Sequence, residues 1–337
     1  MQPCQKNSRS FFEKLQQTKE LDLRDNRGRR HDLAVILVGV TLAVLSNRDG
    51  SLSSIHRHLV NHYELLVSVL GVKKQRPVSR AQLPRILENI SVEVFDNLIF
   101  SHFAVKLNEK EQKWFAIDGK ELRGSIQRCS KRGAAMVQAV AHENCQTAAQ
   151  DYYCGKKESE VLTVRRLLET DWLAGQKISL DALHCKPRTL AKIVGRSGKY
   201  LVGLKGNQKQ LLKQVSRASE NQAVLQEFSA LEKGHGRIEA RSYEFYDLLE
   251  VEKCERWKKS EIRTAIKVKR TRNELKTGRK SQETSYYLTN EVGKYEELSA
   301  AIRGHWRVET NNYLRDVTFS EDRMRSKKRV SIKRWQK

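Results

Sequence analysis

Three acidic residues of this 337-residue chain lie in contexts that suit catalysis. Asp118 follows the apolar residues of FAIDG and Asp181 follows those of ISLDALHC, so each is expected at the end of a buried strand. Glu309 lies within the helical pattern of RGHWRVETNNYL. Ligands of open α/β sheets gather at the carboxyl ends of the strands. The two aspartates can therefore converge, although they are far apart in the sequence.

Carboxylates that converge repel one another unless they hold a divalent cation. Their hard oxygen atoms suit Mg²⁺, which keeps several waters and bridges to phosphate oxygens. Two such ions, roughly 3.5–4 Å apart, activate an attacking oxygen and stabilise a leaving one. Taken singly, an aspartate at a strand end is more often a turn or cap residue. The metal hypothesis therefore depends on the combination of these residues with charge and topology.

The charge balance indicates a polyanionic partner. The chain has 64 Lys and Arg against 40 Asp and Glu, a formal net charge of +24 and a pI near 9.9. Residues 251–337 hold 24 basic and 12 acidic residues, and residues 323–337 hold eight basic residues and no acidic one. Nucleic acid is the simplest partner for such a protein. The basic end of the chain is either a solvated tail or an arm that contacts phosphates.

Further polar residues are candidates for the same site. His305 and Glu309 are spaced i, i+4, so His305 either polarises a phosphate or forms a pair on the helix surface. His184 and Cys185 lack a ligand set for zinc and are interpreted as structural or supporting residues. The loop KGNQ is either a contact with the DNA backbone or an ordinary turn, and HGRIE is a second candidate contact. The candidate DNA-binding residues are Lys120, Arg123, Lys205, Asn207, Gln208, His235, Arg237, Arg303 and His305.

Cysteine usage and hydropathy indicate a cytoplasmic protein. None of the six cysteines forms a C-x-x-C pair, so a structural zinc site is not expected, and their scattered spacing suits a reducing compartment. The N-terminus lacks the apolar core of a signal peptide. The run LAVILVGVTLAVL at 33–45 is too short to span a bilayer and is predicted to be a buried helix.

The order of predicted elements indicates an α/β fold after a helical segment. Residues 10–105 read as helices. From residue 106 the order is strand, hairpin turning at Glu143–Asn144, helix, strand, helix, strand, which is typical of a sheet with helices on its faces. Residues 207–290 contain one helix and several β-like runs, interpreted as a β-rich insertion. The helical pattern returns in YEELSAAIRGHWRVETNNYLRDV.

Several long motifs resemble the H-repeat-associated insertion-sequence transposases, a DDE-type family. They are AIDGKELRGS, DALHC with YLVGLKGNQ, HGRIE, and RGHWRVETNNYLRDVTFSEDRMR, and the N-terminal run LRDNRGRRHDLAVILVGVTLAVL resembles the helical domain that precedes the catalytic core in that family. The likeness spans roughly residues 20–325.

This resemblance implies a fold, an activity and a set of partners. It implies an RNase H-like mixed sheet flanked by helices in residues 106–325, with the β-rich insertion at about 207–290. A small all-α domain, a possible DNA-binding domain, would occupy residues 1–105 and a basic tail residues 326–337. The metal ligands would be Asp118, Asp181 and Glu309, and the cofactor Mg²⁺, with Mn²⁺ as a substitute.

The implied activity is cleavage of double-stranded DNA at the ends of a mobile element and transfer of the freed 3′-OH into target DNA. A homodimer on DNA and a place in the bacterial cytoplasm with the nucleoid are expected, with no membrane partner.

Two departures from the family pattern keep other functions open. Thr310 stands where the family carries Asn, and Asn312–Tyr313 stand where it carries a His-Trp pair. The end KKRVSIKRWQK replaces further apolar helix, which suggests a truncated C-terminus. The alternatives are a non-catalytic DNA-binding remnant of a transposase and a general metal-dependent nuclease.

Overall fold

The structure is a computed structural model that divides into two compact units, one built around N-terminal helices and one around a β-sheet. The residues it describes are 10–46, 51–103, 112–123, 134–154, 157–234, 236–248, 254–319 and 321–323. The predicted domain boundaries near residues 105 and 325 stay predictions. In the described residues, we find no helix that combines the length and the apolar character needed to cross a membrane.

The N-terminal unit is helical, as its apolar periodicity predicts. Its helices are α1 (Phe11–Gln17), α2 (Leu33–Ser46), α3 (Leu52–Asn61), α4 (Tyr63–Leu70), α5 (Gln82–Leu87) and α6 (Val92–Phe103). Helix α2 is apolar nearly all round and contributes most to the core of this unit. The Ser51 hydroxyl caps α3, and Gly71, with φ of 64°, ends α4.

One mixed sheet forms the centre of the second unit. Among the described residues, nine strands pair in the order β3-β2-β1-β4-β5-β9-β8-β7-β6. They are β1 (Trp114–Glu121), β2 (Ala134–Ala141), β3 (Thr147–Cys154), β4 (Lys177–Leu180), β5 (Lys199–Leu204), β6 (Gln226–Gly234), β7 (Arg237–Asp247), β8 (Thr264–Glu274) and β9 (Lys280–Thr289).

The type of strand pairing, parallel or antiparallel, changes twice across this sheet. Strands β1, β4 and β5 are parallel, whereas β5–β9, β9–β8, β8–β7 and β7–β6 are antiparallel. At the other side, the N–H of His142 donates to the carbonyl of Trp114 and that of Leu122 to Ala134, which is the antiparallel pattern for β1 and β2. The predicted hairpin between β2 and β3 turns at 142–144.

Helices cover both faces of the sheet. They are α7 (Lys157–Leu167), α8 (Pro187–Gly195), α9 (Lys209–Asn221), α10 (Tyr295–Gly304) and α11 (Arg307–Tyr313). Alternate residues of each strand face opposite sides. Phe115 and Ile117 therefore pack with α7 and α8 in one core, whereas Ala116 packs on the other face with Val308 of α11. The predicted RNase H-like α/β fold class agrees with this architecture.

The β-like runs predicted as a β-rich insertion at 207–290 are present, and β6 to β9 extend the same sheet from the edge of β5. One sequence-based expectation needs correction. The single helix expected over 295–317 is two helices, with an interruption at residues 305–306 and a π-helical turn at Leu314–Thr318. Gly304 at the interruption has the low helix propensity of glycine and lies against His142.

Candidate active site

Asp118 and Asp181 lie opposite each other on neighbouring parallel strands. The register pairs Ile117 of β1 with Leu180 of β4, and the next residue of each chain segment is an aspartate. Adjacent strands are about 4.8 Å apart, and side chains at equivalent positions of parallel strands project from the same face. The structure thus brings these two carboxylates together.

Asp118 is not at the end of its strand, contrary to the expectation from the sequence. Strand β1 continues to Glu121 because its other edge pairs with β2, where the N–H of Leu122 donates to Ala134 O over 2.8 Å. Strand β4 ends at Leu180 instead. The strand end that lies beside Asp118 is therefore that of β4.

The pKa of Asp118 is raised to about 7, first by burial and then by the negative charges of Asp181 and Glu160. A hydrogen bond from the Gly119 backbone and the nearby His184 act in the opposite direction. The carboxyl group is therefore only partly ionised near neutral pH. A bound cation would favour the charged form of such a group and would offset the repulsion between the two aspartates.

Asp181 has a second role as a cap. Its Oδ1 accepts a hydrogen bond of 2.9 Å from the N–H of Leu183, at the start of a short 3₁₀ helix, Ala182–His184. This bond fixes the side chain at the end of β4 while the residue stays half-buried. The cap interpretation and the metal-ligand interpretation are compatible here, because a carboxylate has a second oxygen atom.

Glu160 is a third carboxylate near the pair, and the sequence did not single it out. Its Oε2 accepts a hydrogen bond of 2.8 Å from the Tyr153 hydroxyl, and its Oε1 lies 3.3 Å from Nε2 of His184. His184 is fully buried, and the same Nε2 lies 3.8 Å from Asp181 Oδ1. At these positions neither ring nitrogen of His184 has a hydrogen-bond partner among the described residues. His184 therefore lies between two carboxylates of the site without a described hydrogen bond to either, and its interpretation as a structural or supporting residue stays a prediction.

Gly119 permits the close approach of Glu160. A Cβ atom at position 119 would lie 2.7 Å from Cδ of Glu160, closer than real Cβ contacts allow. A glycine inside a strand is a sequence signal of a close approach by another group. The glycine directly after Asp118 is thus the one local signal that could have pointed to a partner such as Glu160.

Glu309 is carried by α11, which packs on the face of the sheet where Ala116 lies, and it does not form with the two aspartates a group that could hold a metal ion. Helix α11, which carries it, is anchored by Val308 against Ala116 of β1 and by a 2.8 Å hydrogen bond from Asn311 Nδ2 to Cys145 O. The side chain is exposed. Although the residue as a whole is exposed, partial burial of its carboxyl group raises the pKa of Glu309, and among the described residues no carboxylate contributes to that shift.

His305 belongs to a hydrogen-bonded chain of three side chains. Its Nδ1 lies 3.0 Å from Ser179 Oγ, which lies 2.9 Å from Nε2 of His142. Burial lowers the pKa of His305 to about 4 although the charge of Asp181 opposes this, and burial lowers the pKa of His142 to about 3. Both rings are neutral at pH 7. His305 is at the interruption between α10 and α11, so the regular i, i+4 helical pair with Glu309 is not formed.

The KGNQ loop makes hydrogen bonds within the protein. Asn207 Nδ2 donates to Ala182 O over 2.6 Å, and Gln208 Nε2 donates to Cys185 O over 2.8 Å. These amide side chains hold the loop against the segment that follows Asp181. Lys205 is exposed and stays a candidate DNA contact.

Three predicted DNA contacts are paired with carboxylates, and the longest of these ion pairs joins Arg123 Nε to Asp322 Oδ2 over 4.0 Å. Arg237 Nε lies 3.4 Å from Glu239 Oε2, and Arg303 Nη1 lies 2.6 Å from Glu232 Oε2. Each guanidinium would have to share or exchange its carboxylate to bind a phosphate. Their place in a DNA interface therefore stays a prediction.

Arg123 and the remaining predicted contacts differ in exposure. Lys120 is buried, which disfavours a direct contact with DNA in this conformation. Arg123 is mostly exposed, and its backbone N–H donates to Asp322 Oδ1 over 3.2 Å. His235 and the basic tail lie outside the described residues.

The donor atoms of Asp118 and Asp181 suit a hard cation such as Mg²⁺. Within the part of the chain that the structure describes, no group of three or more His, Cys, Asp or Glu side chains is close enough together to hold a metal ion. The two aspartates thus fit as a pair of ligands, and the predicted third ligand, Glu309, is not assembled with them.

Known proteins are similar in sequence to this chain over most of its length. A family model described as "Transposase DDE domain" matches residues 109–335. The chain is 26% identical over 315 residues to "H repeat-associated putative transposase YhhI" of Escherichia coli K12, covering 89% of this chain and 81% of that protein. It is 27% identical over 318 residues to "Putative transposase YncI" of Escherichia coli O157:H7, covering 90% and 79%. It is 27% identical over 306 residues to "Putative protein YbfL" of Escherichia coli K12, covering 87% and 79%.

Proposed function

This chain belongs to the family of transposases with a DDE domain, and from that premise we propose that it cuts double-stranded DNA at the ends of an insertion-sequence element and joins the freed ends to target DNA. In the first step, water attacks the phosphorus and the bond to the 3′ oxygen breaks, which leaves a 3′-OH. In the second, that 3′-OH attacks a phosphodiester of the target and displaces its 3′ oxygen. The number of phosphodiester bonds is conserved in this second step.

The observation that carries this proposal is the pair of facing aspartates. Burial and the charge of Asp181 raise the pKa of Asp118 to about 7, so the folded chain holds two carboxylates in an arrangement that disfavours their full ionisation. Such strongly perturbed groups cluster at functional sites. Binding of a divalent cation supplies a physical reason for keeping the pair.

Asp118 and Asp181 would hold Mg²⁺, with Mn²⁺ as a substitute, and Glu309 would complete the ligand set. When bound, the cation offsets the charge on the attacking and leaving oxygens of the phosphodiester. The hydrogen bond from Leu183 N–H orients the Asp181 carboxylate. His305, neutral and bonded to Ser179, would act as a hydrogen-bonding group toward a phosphate and not as a cation.

One feature favours the alternative of a DNA-binding remnant without catalysis. Glu309 is exposed, and none of the described carboxylates affects its pKa. If α11 keeps this position when DNA binds, only two of the three proposed ligands are available.

Joining two element ends also calls for two copies of the chain, so we expect the active form to be a homodimer on DNA.

The proposed function is tested by cleavage of a labelled duplex that carries the end of the parent element. We expect cutting with Mg²⁺, none with EDTA, and none with Asp118→Asn, which should still bind the duplex. Cutting by Asp118→Asn at the wild-type rate would contradict the metal-ligand role. Bound but uncut DNA would support the remnant, and cutting without preference for the element end would support a general nuclease.

A further inference from the structure

A basic groove lies beside the segment that follows Asp181. It has a volume of about 330 Å³ and is lined by Arg165, Lys186, Pro187, Arg188, Gln208 and Arg256. These residues come from α7, from the start of α8, from the loop before α9 and from the turn at 254–257. The groove thus gathers four cationic side chains from three distant parts of the sequence.

Among the described residues, no carboxylate forms an ion pair with the cations of the basic groove. None of the six lining residues is acidic, and within the described residues none of the four cations forms an ion pair. The pKa of Arg165 is lowered by burial and by the charge of Arg188, which shows that the two guanidinium groups repel each other. An anion bound between them would relieve this repulsion.

Neutral partners hold two of these four side chains in place. Arg165 Nε donates to Thr189 Oγ1 over 3.0 Å, and Arg256 Nη2 donates to Gln208 Oε1 over 3.1 Å. The Arg256 guanidinium also lies 5.5 Å from the ring of Trp257. The positive charges of Arg165 and Arg256 are therefore positioned before any anion arrives, which lowers the entropy lost on binding. This contrasts with Arg237 and Arg303, whose charges are already paired with glutamates.

We propose that the basic groove binds phosphates of the DNA backbone, an inference that rests on the proposed function. The positive end of the α8 dipole, at Pro187, adds to the four side-chain charges. Guanidinium groups suit phosphate because they donate paired hydrogen bonds to its oxygens. Only the 3₁₀ helix Ala182–His184 and Cys185 separate Asp181 from Lys186, so the groove is next in the chain to one of the proposed metal ligands.

The test measures how duplex binding depends on salt, in EDTA so that cleavage does not interfere. Arg188 is exposed and makes no described hydrogen bond, so Arg188→Gln and Arg188→Glu should fold normally. Arg279, exposed in the turn between β8 and β9, is the matched control as Arg279→Gln and Arg279→Glu. For Arg188→Gln we expect the slope of log K against log salt to become shallower by about 0.9 for each phosphate that is no longer neutralised, with a larger decrease of affinity in Arg188→Glu. The Arg279 variants should keep the wild-type slope.

Each other outcome overturns the inference in a recognisable way. If the wild type binds duplex DNA and the Arg188 variants keep the wild-type slope, the groove does not touch the backbone. If inorganic phosphate raises the Tm of the wild type but not of Arg188→Gln while the DNA slope is unchanged, the groove is a site for free phosphate. If the wild type binds no duplex at all, the proposed function fails together with the groove.

Discussion

At Asp118, burial and neighbouring charge both oppose ionisation, and this gives a stability effect with a definite sign. The ordinary pKa is 3.8 and the folded value is about 7. Between these values the unfolded chain has released its proton while the folded chain retains it, so stability falls as pH rises through this window. Below the window both states are protonated and the group contributes nothing.

We expect Asp118→Asn to stabilise the metal-free protein above a pH of about 7, by up to about 4 kcal/mol, and to have little effect below the window. Thermal unfolding over a pH series measures this as a difference in Tm that grows with pH. Glu20→Gln, at an exposed side chain for which the structure describes no hydrogen bond or ion pair, is the control for replacing a carboxylate by an amide in the same pH series. If the Tm of the wild type and that of Asp118→Asn changed with pH in parallel, the raised pKa of Asp118 would be contradicted.

At the residue scale, the sequence predicts the site residues that follow from the pattern of a strand. It does not predict the site residues that are brought to the site by packing between elements. Asp118 and Asp181 are found because each follows an apolar run, and parallel pairing then places them side by side. Glu160 is missed because no local pattern tells which end of α7 approaches β1. His142 is missed for the same reason, since its hydrogen bond with Ser179 depends on how the β2–β3 turn lies on the sheet.

At the element scale, the close approach of α10 to the β2–β3 turn gives the second prediction. A Cβ atom on residue 304 would overlap Nδ1 of His142 and lie 2.8 Å from its Cγ. His142 stacks on Trp114, with ring centroids 5.9 Å apart, and bonds Ser179, so it cannot move without disrupting both interactions. We expect Gly304→Ala to destabilise the protein by about 1–3 kcal/mol, measured as a lower Tm.

Gly195→Ala is the matched control for Gly304→Ala. Gly195 is the last residue of α8, and a Cβ atom there would meet no heavy atom within 4 Å. Alanine should therefore stabilise the protein by about 0.4–1 kcal/mol through the unfolded state. A Tm for Gly304→Ala that equals or exceeds that of the wild type would show that α10 does not approach His142 so closely.

The order of elements could be predicted from sequence, whereas β6 could not. Strands β1, β4 and β5 are short apolar runs between turn signals, so they are recognised as buried strands. Strand β6 is exposed along most of its length and carries charged residues. It is held by its backbone pairing with β7, and backbone hydrogen bonds do not depend on which side chains the strand carries. The pattern of side chains therefore does not predict this strand.

At the scale of the whole molecule, the net charge of +24 predicts a polyanionic partner. It does not tell which cationic side chains contact that partner. Arg303 and Arg237 contribute to that total, yet both are paired with glutamates. Arg188 and Arg256 contribute equally and have no carboxylate partner among the described residues. The formal charge therefore overstates the number of cations available to DNA, and only the folded arrangement separates the two groups.

The basic tail gives the last prediction, argued from sequence because residues 326–337 lie outside the described part of the chain. They hold six Lys and Arg and no acidic residue. Since each cation that neutralises a phosphate releases counterions, deleting these residues should weaken duplex binding and make the slope of log K against log salt shallower, by about 0.9 for each such phosphate and no more than about 5 in total. A shuffled tail of the same composition should retain the wild-type slope if the binding of the tail is purely electrostatic. An unchanged slope after deletion would remove the tail from the DNA-binding surface and leave the basic groove as the principal source of the salt dependence in the sheet unit.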